Sequence, residues 1–270
     1  MGRNSVYPPS KPVPNERTTP KLKGRCPRRT ARDLGSPVHA PRSNKLGLHR
    51  LINLAKLMPN SEKLMTYKLY YADGTASLGV RVLLEEVGAP YKLIQTTIDR
   101  QEPRPAEQLK INPNGWVPVL LWDDNAMYEC AAITIFLCDR HTEANLAPAI
   151  GAPERSLYLQ TLVYFSSSVQ TAFQLDYHAH RFADTPADEP SAQRRGHRRL
   201  HDTWKVIDDQ IGDNKWIIGD QFSAVDIYLF MLTTWLEPSR GQPSVQDFPN
   251  VQRIADAVML RPSVQLVYGD

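Results

Sequence analysis

Residues 112–130 read NPNGWVPVLLWDDNAMYEC, and this stretch decides the fold. Val117-Pro118 opens a β-like run that reaches Trp122, Asp123-Asp124-Asn125 is a turn, and Ala126 to Tyr128 is a second short run. Two such runs around a turn predict an antiparallel hairpin. Proline has no N–H to give a strand ladder, so Pro118 belongs at an edge, at a first strand position or in a special turn. With a cis Val117-Pro118 bond, the backbone N–H and C=O of Val117 would turn outward as a docking edge for an extended peptide. Glu129-Cys130 then stands before an apolar helical run, Ala131 to His141, whose opening N–H groups attract a carboxylate. These features predict a device that holds a short, charged, extended peptide.

Upstream, Tyr67 to Tyr71 is aromatic-rich and alternating, the pattern of a strand. Asp73-Gly74-Thr75 is a turn. Ser77 to Val87 carries apolar residues at 78, 80, 82, 83, 84 and 87, as one buried helix face requires. Gly88 and Pro90 end that helix, and Tyr91 to Ile98 is a second strand. A strand–helix–strand unit of this length implies a parallel pair with a right-handed crossover. Downstream, Leu146 to Pro153 reads as a linker, and helical patterns follow at 154–182, 191–211, 223–236 and 250–260. Ser223 with Asp226 is a capping box, and Phe222 is placed to staple onto Ile227. Asp226 is therefore expected to serve folding and not catalysis.

Net charge is +3, but it is unevenly placed. Residues 1–65 hold 14 lysines and arginines against 3 acidic residues, whereas the rest holds 18 against 26. The pI near 8.7 thus belongs to the leader, and the body is acidic. The leader also has nine prolines, a composition that cannot bury much surface and is expected to be disordered. It reads as a tail, as a transit peptide rich in arginine but oddly rich in proline, or as sequence upstream of a true start at Met65. Met65, directly before the first strand, favours the last. The three cysteines, Cys26, Cys130 and Cys138, show neither CxxC nor metal spacing, which argues against a disulfide scaffold and suits a reducing compartment. No apolar run approaches the roughly 20 residues a membrane span needs, and no secretory signal is expected.

The segment 112–130, YKLYYADGTASLGVRVLLEEVGAPY from Tyr67 to Tyr91, and WIIGDQFSAVDIYLF from Trp216 to Phe230 together resemble the soluble glutathione transferases, over roughly Met65 to Asp270. The resemblance implies a leader (1–65), a thioredoxin-like α/β glutathione-binding domain (66–147) and an all-α domain (153–270). It further implies a cytoplasmic homodimer that binds glutathione as co-substrate, without a metal, a membrane or nucleic acid. The loop after the first strand is most similar to that of bacterial beta-class members. The class cysteine is replaced by Ala76, however, and the partner histidine by Gln170.

A glutathione thiol needs a donor that favours its thiolate. Thr75 and Ser77 are the hydroxyls in the loop, Thr75 being favoured. Ser77 doubles as a candidate N-cap, and Tyr71 is a lesser candidate. The resemblance assigns Glu129 and Cys130 to the γ-glutamyl end, Val117 and Pro118 to main-chain pairing with the cysteinyl part, and Trp116 to covering the peptide. Arg100 or Arg104 would meet the glycine carboxylate. Tyr164, Phe165, Tyr177, His178 and His180 lie near the helix expected to face a second substrate. His178 and His180, two apart, point to different helix faces, so a metal site is not expected. The basic run Arg194, Arg195, Arg198 and Arg199 reads as a solvated face, lacking the interleaved aromatics of a nucleic-acid binder. The implied activity is transfer of glutathione sulfur to a small electrophile. The alternatives are a glutathione-dependent disulfide reductase and a non-catalytic binding protein.

Overall fold

The computed structural model of the chain describes residues 66–99 and 101–269. The readings of the leader and of Arg100 fall outside the described residues.

Strand β1 (Tyr67–Tyr71), helix α1 (Ala76–Glu86) and strand β2 (Tyr91–Gln95) form the expected crossover unit, with β1 and β2 parallel in the register Tyr67↔Tyr91 to Tyr71↔Gln95. Strands β3 (Val119–Trp122) and β4 (Asn125–Tyr128) form the hairpin, and β3 runs antiparallel to β1 with Leu69 opposite Leu120. The sheet order is β2-β1-β3-β4. The sequence reading placed the first residue of β3 at Val117. The ladder begins instead at Val119, because Pro118 has no N–H to contribute. The Val117-Pro118 bond is cis. β2 stops at Gln95 and not at Ile98, since β1 ends at Tyr71 and offers only one further acceptor, Tyr71 O, to Thr96 N at 2.9 Å. A short helix α2 (Ala106–Ile111) occupies the segment read as irregular. Helix α3 (Cys130–Arg140) closes the α/β half.

The helical half comprises α4 (Arg155–Tyr164), a π-helical turn (Phe165–Val169), α5 (Gln170–Tyr177), α6 (Glu189–Ile211), α7 (Ala224–Thr233), α8 (Pro249–Met259) and α9 (Pro262–Tyr268). The stretch 154–182 is therefore not one uniform helix. Ser166 and Ser167 hydroxyls both donate back to Val163 O, and Gln170 N reaches Phe165 O five residues behind. α9 lies beyond the last helical pattern read at 250–260; Pro262 opens it in the first turn, where its missing N–H is no loss.

α1 is buried on more than its sheet-facing side, because the helical half packs on its other flank. Gly79 permits this approach: a Cβ there would lie 2.5 Å from Met231 Sδ of α7. The two halves are also tied by an ion pair. Arg261 Nε and Nη2 donate to the two oxygens of Glu86 at 2.7 and 2.6 Å, and the Ser263 hydroxyl donates to the same carboxylate. Burial alone would raise the Glu86 carboxyl, but the hydrogen bonds from Arg261 and Ser263 hold it below its ordinary value.

Before α7, the capping box forms as expected. Asp226 Oδ2 accepts Ser223 N at 2.8 Å and the Ser223 hydroxyl at 3.0 Å, while Oδ1 accepts Ile217 N at 3.0 Å. The Phe222 ring meets Trp216 edge-on at 5.1 Å and lies under the Arg261 guanidinium at 3.7 Å.

Candidate active site

Two helix N-termini, those of α1 and α3, open onto one cleft of about 570 Å³ between the α/β and helical halves. The first N–H groups of a helix have no intrahelical acceptor, and the aligned peptide dipoles favour negative charge there. Ala76 and Cys130, the first residues of these helices, both line the cleft. The site thus presents two anion-attracting ends, and Val117 and Pro118 line the same cleft.

The α1 end is built by two hydroxyls. Thr75 is the N-cap, with extended backbone (φ −119°, ψ 173°) and an Oγ1 that accepts Ser77 N at 3.3 Å. The expected N-cap role of Ser77 is therefore corrected: Ser77 lies inside the helix and is 0% exposed. Its Oγ accepts Ala72 N at 3.2 Å and approaches Ala72 O at 3.1 Å, pinning the loop to the helix. Thr75 Oγ1 lies 2.7 Å from both Ala72 O and Ser77 Oγ. Two hydroxyl protons thus serve a closed triangle, each donating either to the other hydroxyl or to Ala72 O. Thr75 lines the cleft and Ser77 does not. Tyr70 is buried in the core, and Tyr71 is half-buried against it and is not part of the cleft lining.

The α3 end is built by Glu129 and Cys130. Glu129 is an exposed N-cap with φ 76° and ψ 110°, a conformation that L side chains rarely adopt, and its side chain makes no capping bond. Cys130 is buried, and its thiol is turned to Ala76 O at 3.6 Å. Burial pushes this thiol up to about 12, and burial likewise pushes Cys138 up to about 11. Neither described cysteine is a ready thiolate. What Cys130 offers the cleft is its main-chain N–H.

Trp116 is 42% exposed at the cleft, and the Arg181 guanidinium lies 5.0 Å from its ring centroid, so one residue from each half meets at the rim. Arg104 also lines the cleft. Its Nη1 donates to Asp99 O at 2.6 Å and to Glu102 O at 3.1 Å, and its Nε to Gly115 O at 3.3 Å, which fixes the side chain against the irregular loop.

The opposite wall comes from Ser166, Gln170, Phe173, Gln174 and Tyr177, spaced as one helix face, with His178, Thr234 and Trp235. Phe173 stacks on Tyr177 at 6.3 Å and meets Trp235 edge-on at 5.5 Å, and the Tyr177 hydroxyl donates to Trp235 O at 2.7 Å. Tyr177 and His178 were expected near this wall and line it. Tyr164 and His180 are not part of the lining, and Phe165 is wholly buried. The reading missed Phe173, Gln174 and Trp235. The spacing 166, 170, 173/174 and 177 was the available signal for the first two. Among the described residues, no group of three or more His, Cys, Asp or Glu is placed to hold a metal ion.

Comparison with known proteins adds the following. The family description "Glutathione S-transferase, N-terminal domain" matches residues 75–140, and "Glutathione S-transferase, C-terminal domain" matches residues 160–262. The chain is 30% identical over 203 residues to the uncharacterized GST-like protein YncG of Escherichia coli K12, covering 74% of this chain and 96% of that protein. It is 26% identical over 205 residues to glutathione S-transferase GstA of Escherichia coli O157:H7, covering 73% and 95%. Among solved structures, a ternary complex of BphK, a bacterial GST, superposes with a TM-score of 0.65 at 28% identity, covering 74% of this chain and 96% of that one. A sphingomonad glutathione S-transferase complexed with glutathione gives 0.64 at 25% identity, covering 75% and 97%.

Proposed function

We propose, for a chain that belongs to the glutathione S-transferase family, that it binds glutathione and presents its thiolate to a small electrophile. The observation that carries this reading is the convergence of two helix N-termini on one cleft beside the Val117 main chain. The γ-glutamyl carboxylate would sit on the N–H groups opening α3, with the Glu129 carboxylate facing the ammonium. The cysteinyl part would pair with the Val117 main chain before Pro118, and Trp116 would cover it. Arg104 lies on the side where the glycine carboxylate would emerge. The sulfur would then lie at the α1 N-terminus, where the Ala76 N–H and the dipole favour the thiolate and where Thr75 can donate by rotating its hydroxyl. Ser77 would act through the loop, holding Thr75 in place. The thiolate attacks the electrophilic carbon; a C–S bond forms, and the displaced electron pair leaves with the leaving group or takes up a proton. The aromatic trio Phe173, Tyr177 and Trp235 would receive the electrophile. A cytoplasmic homodimer is part of the same proposal.

The buried thiols of Cys130 and Cys138 favour a second reading over any protein-thiol chemistry: glutathione itself would be the nucleophile on a mixed disulfide. The test is calorimetric titration of the full chain with glutathione, followed by parallel conjugation and disulfide-exchange assays. Saturable binding that weakens at least about tenfold in Glu129→Ala is expected, as for loss of one charge-assisted hydrogen bond to the ligand. Absence of binding by the folded wild type would sink the reading and leave a non-catalytic member of the fold.

A further inference from the structure

Gln170 stands in the cleft as the first residue after the π-turn, and its side chain is oriented from behind. Tyr228 of α7 is buried beneath it, its ring stacked on Phe165 at 5.6 Å, and its hydroxyl donates to Gln170 Oε1. A buried phenol is stabilised by an acceptor for its proton. The competing acceptor is the Cys130 sulfur, which lies against the same hydroxyl, but thiol sulfur accepts weakly and the Cys130 proton is turned to Ala76 O. The Gln170 oxygen is therefore held inward, and its amide nitrogen, with two donor hydrogens, is left to the cleft. Among the described residues, Gln170 Nε2 makes no hydrogen bond. The same chain of contacts, Ala76 to Cys130 to Tyr228 to Gln170, places this amide beside the point where α1 and α3 begin. Thr75, by contrast, gives up a hydrogen bond of its triangle with Ser77 Oγ and Ala72 O when it turns its proton to a ligand.

We propose that Gln170 Nε2 is a second side-chain donor, besides Thr75, to the sulfur of a thiol bound in this cleft, and that Tyr228 is the residue that positions it. The inference rests on the glutathione reading above. When the bound thiol ionises, the S–H bond breaks, the proton passes to solvent, and the electron pair left on sulfur accepts an amide N–H.

The test is ultraviolet titration of the thiolate of glutathione bound to the full chain, with calorimetry alongside. In the wild type, bound glutathione should ionise at lower pH than free glutathione. Gln170→Ala removes the donor without adding charge and should move that titration up by about one unit, a roughly tenfold loss of thiolate at a fixed pH. Gln170→Glu keeps the inward oxygen for Tyr228 and should move it further, by placing a carboxylate near the sulfur. Glutathione affinity at a pH where the thiol is protonated should change less than about threefold in both. Tyr228→Phe frees the amide to turn and should give a smaller upward shift; a variant that fails to fold leaves the decision to the two Gln170 variants. Unchanged titration in Gln170→Ala and Gln170→Glu, with binding retained, would overturn the role of Gln170 and spare the glutathione reading. No glutathione binding by the wild type would overturn both.

Discussion

Glu129 and Asp226 are both carboxylates at the start of a helix, and they are used in opposite ways. Asp226 is 0% exposed and accepts three hydrogen bonds from Ile217 and Ser223. Glu129 is exposed, makes no capping bond, and sits at φ 76°. The first arrangement satisfies every donor around it and leaves nothing for a ligand. The second holds a residue in a costly conformation and leaves the N–H groups of α3 open to the cleft. Strain with unspent hydrogen bonding is what the proposed binding site would need, and burial with full satisfaction is what a folding element needs. The contrast fails if Asp226 proves dispensable to folding, or if Glu129 proves essential to it.

The largest expected effect is therefore on stability at Asp226. Asp226→Ala orphans two buried backbone N–H groups and should cost about 3 kcal/mol of unfolding free energy, measured by denaturant titration. The same carboxylate has a pH signature. Burial raises it to about 6, and the hydrogen bonds from Ile217 and Ser223 offset this only in part. Its folded value lies above its unfolded value near 3.8, so its contribution is fully present below about pH 4 and is lost as the pH rises through about 6. In Asp226→Asn that loss between pH 4 and 6 should vanish from the stability profile.

Glu129 should show the reverse balance. Glu129→Gly relieves the positive φ, so stability should hold or rise by up to about 1 kcal/mol. Glutathione affinity should fall at least about tenfold by calorimetry. A glycine variant that unfolds while keeping affinity in its folded fraction would erase the distinction between the two carboxylates.

The same physics decides what could be read from the sequence. The sheet, α1, the hairpin and the Ser223–Asp226 box were legible because alternation, glycine, proline and cap residues act over a few positions. The sequence favoured Thr75 as donor and offered Ser77 as the N-cap, since by residue type either hydroxyl can cap a helix. The extended backbone at Thr75 settles it, and residue type does not encode that. The π-turn was illegible: FSSSV reads as helix, and only the back-bonding of Ser166 and Ser167 and the packing around Phe165 reveal the fifth residue of the turn. Gln170 could be placed on the cleft helix but given no orientation, because Tyr228 lies 58 residues away in sequence. Trp235 joins the wall only because α7 packs against α1 at Gly79, a long-range contact with no local signature.

A third carboxylate sharpens the comparison with the smallest expected effect. Glu86 is paired, as Asp226 is satisfied, but its partner Arg261 is about a third exposed, with a side-chain accessibility of 32% against 11% for Glu86. Solvent screening at the arginine reduces what the pair contributes, so Glu86→Gln should destabilise by about 1 kcal/mol, well short of the loss at Asp226. The pH dependence should also run the other way. Hydrogen bonds from Arg261 and Ser263 outweigh burial and hold the Glu86 carboxyl below its unfolded value near 4.5. The pair's contribution is then fully present above about pH 4.5 and is lost as the pH falls through the lower folded value. Acidification should close the stability gap between wild type and Glu86→Gln, whereas the gap between wild type and Asp226→Asn should move in the wild type's favour over the same descent. If both gaps move in the same direction, burial and pairing are not what separate these two carboxylates.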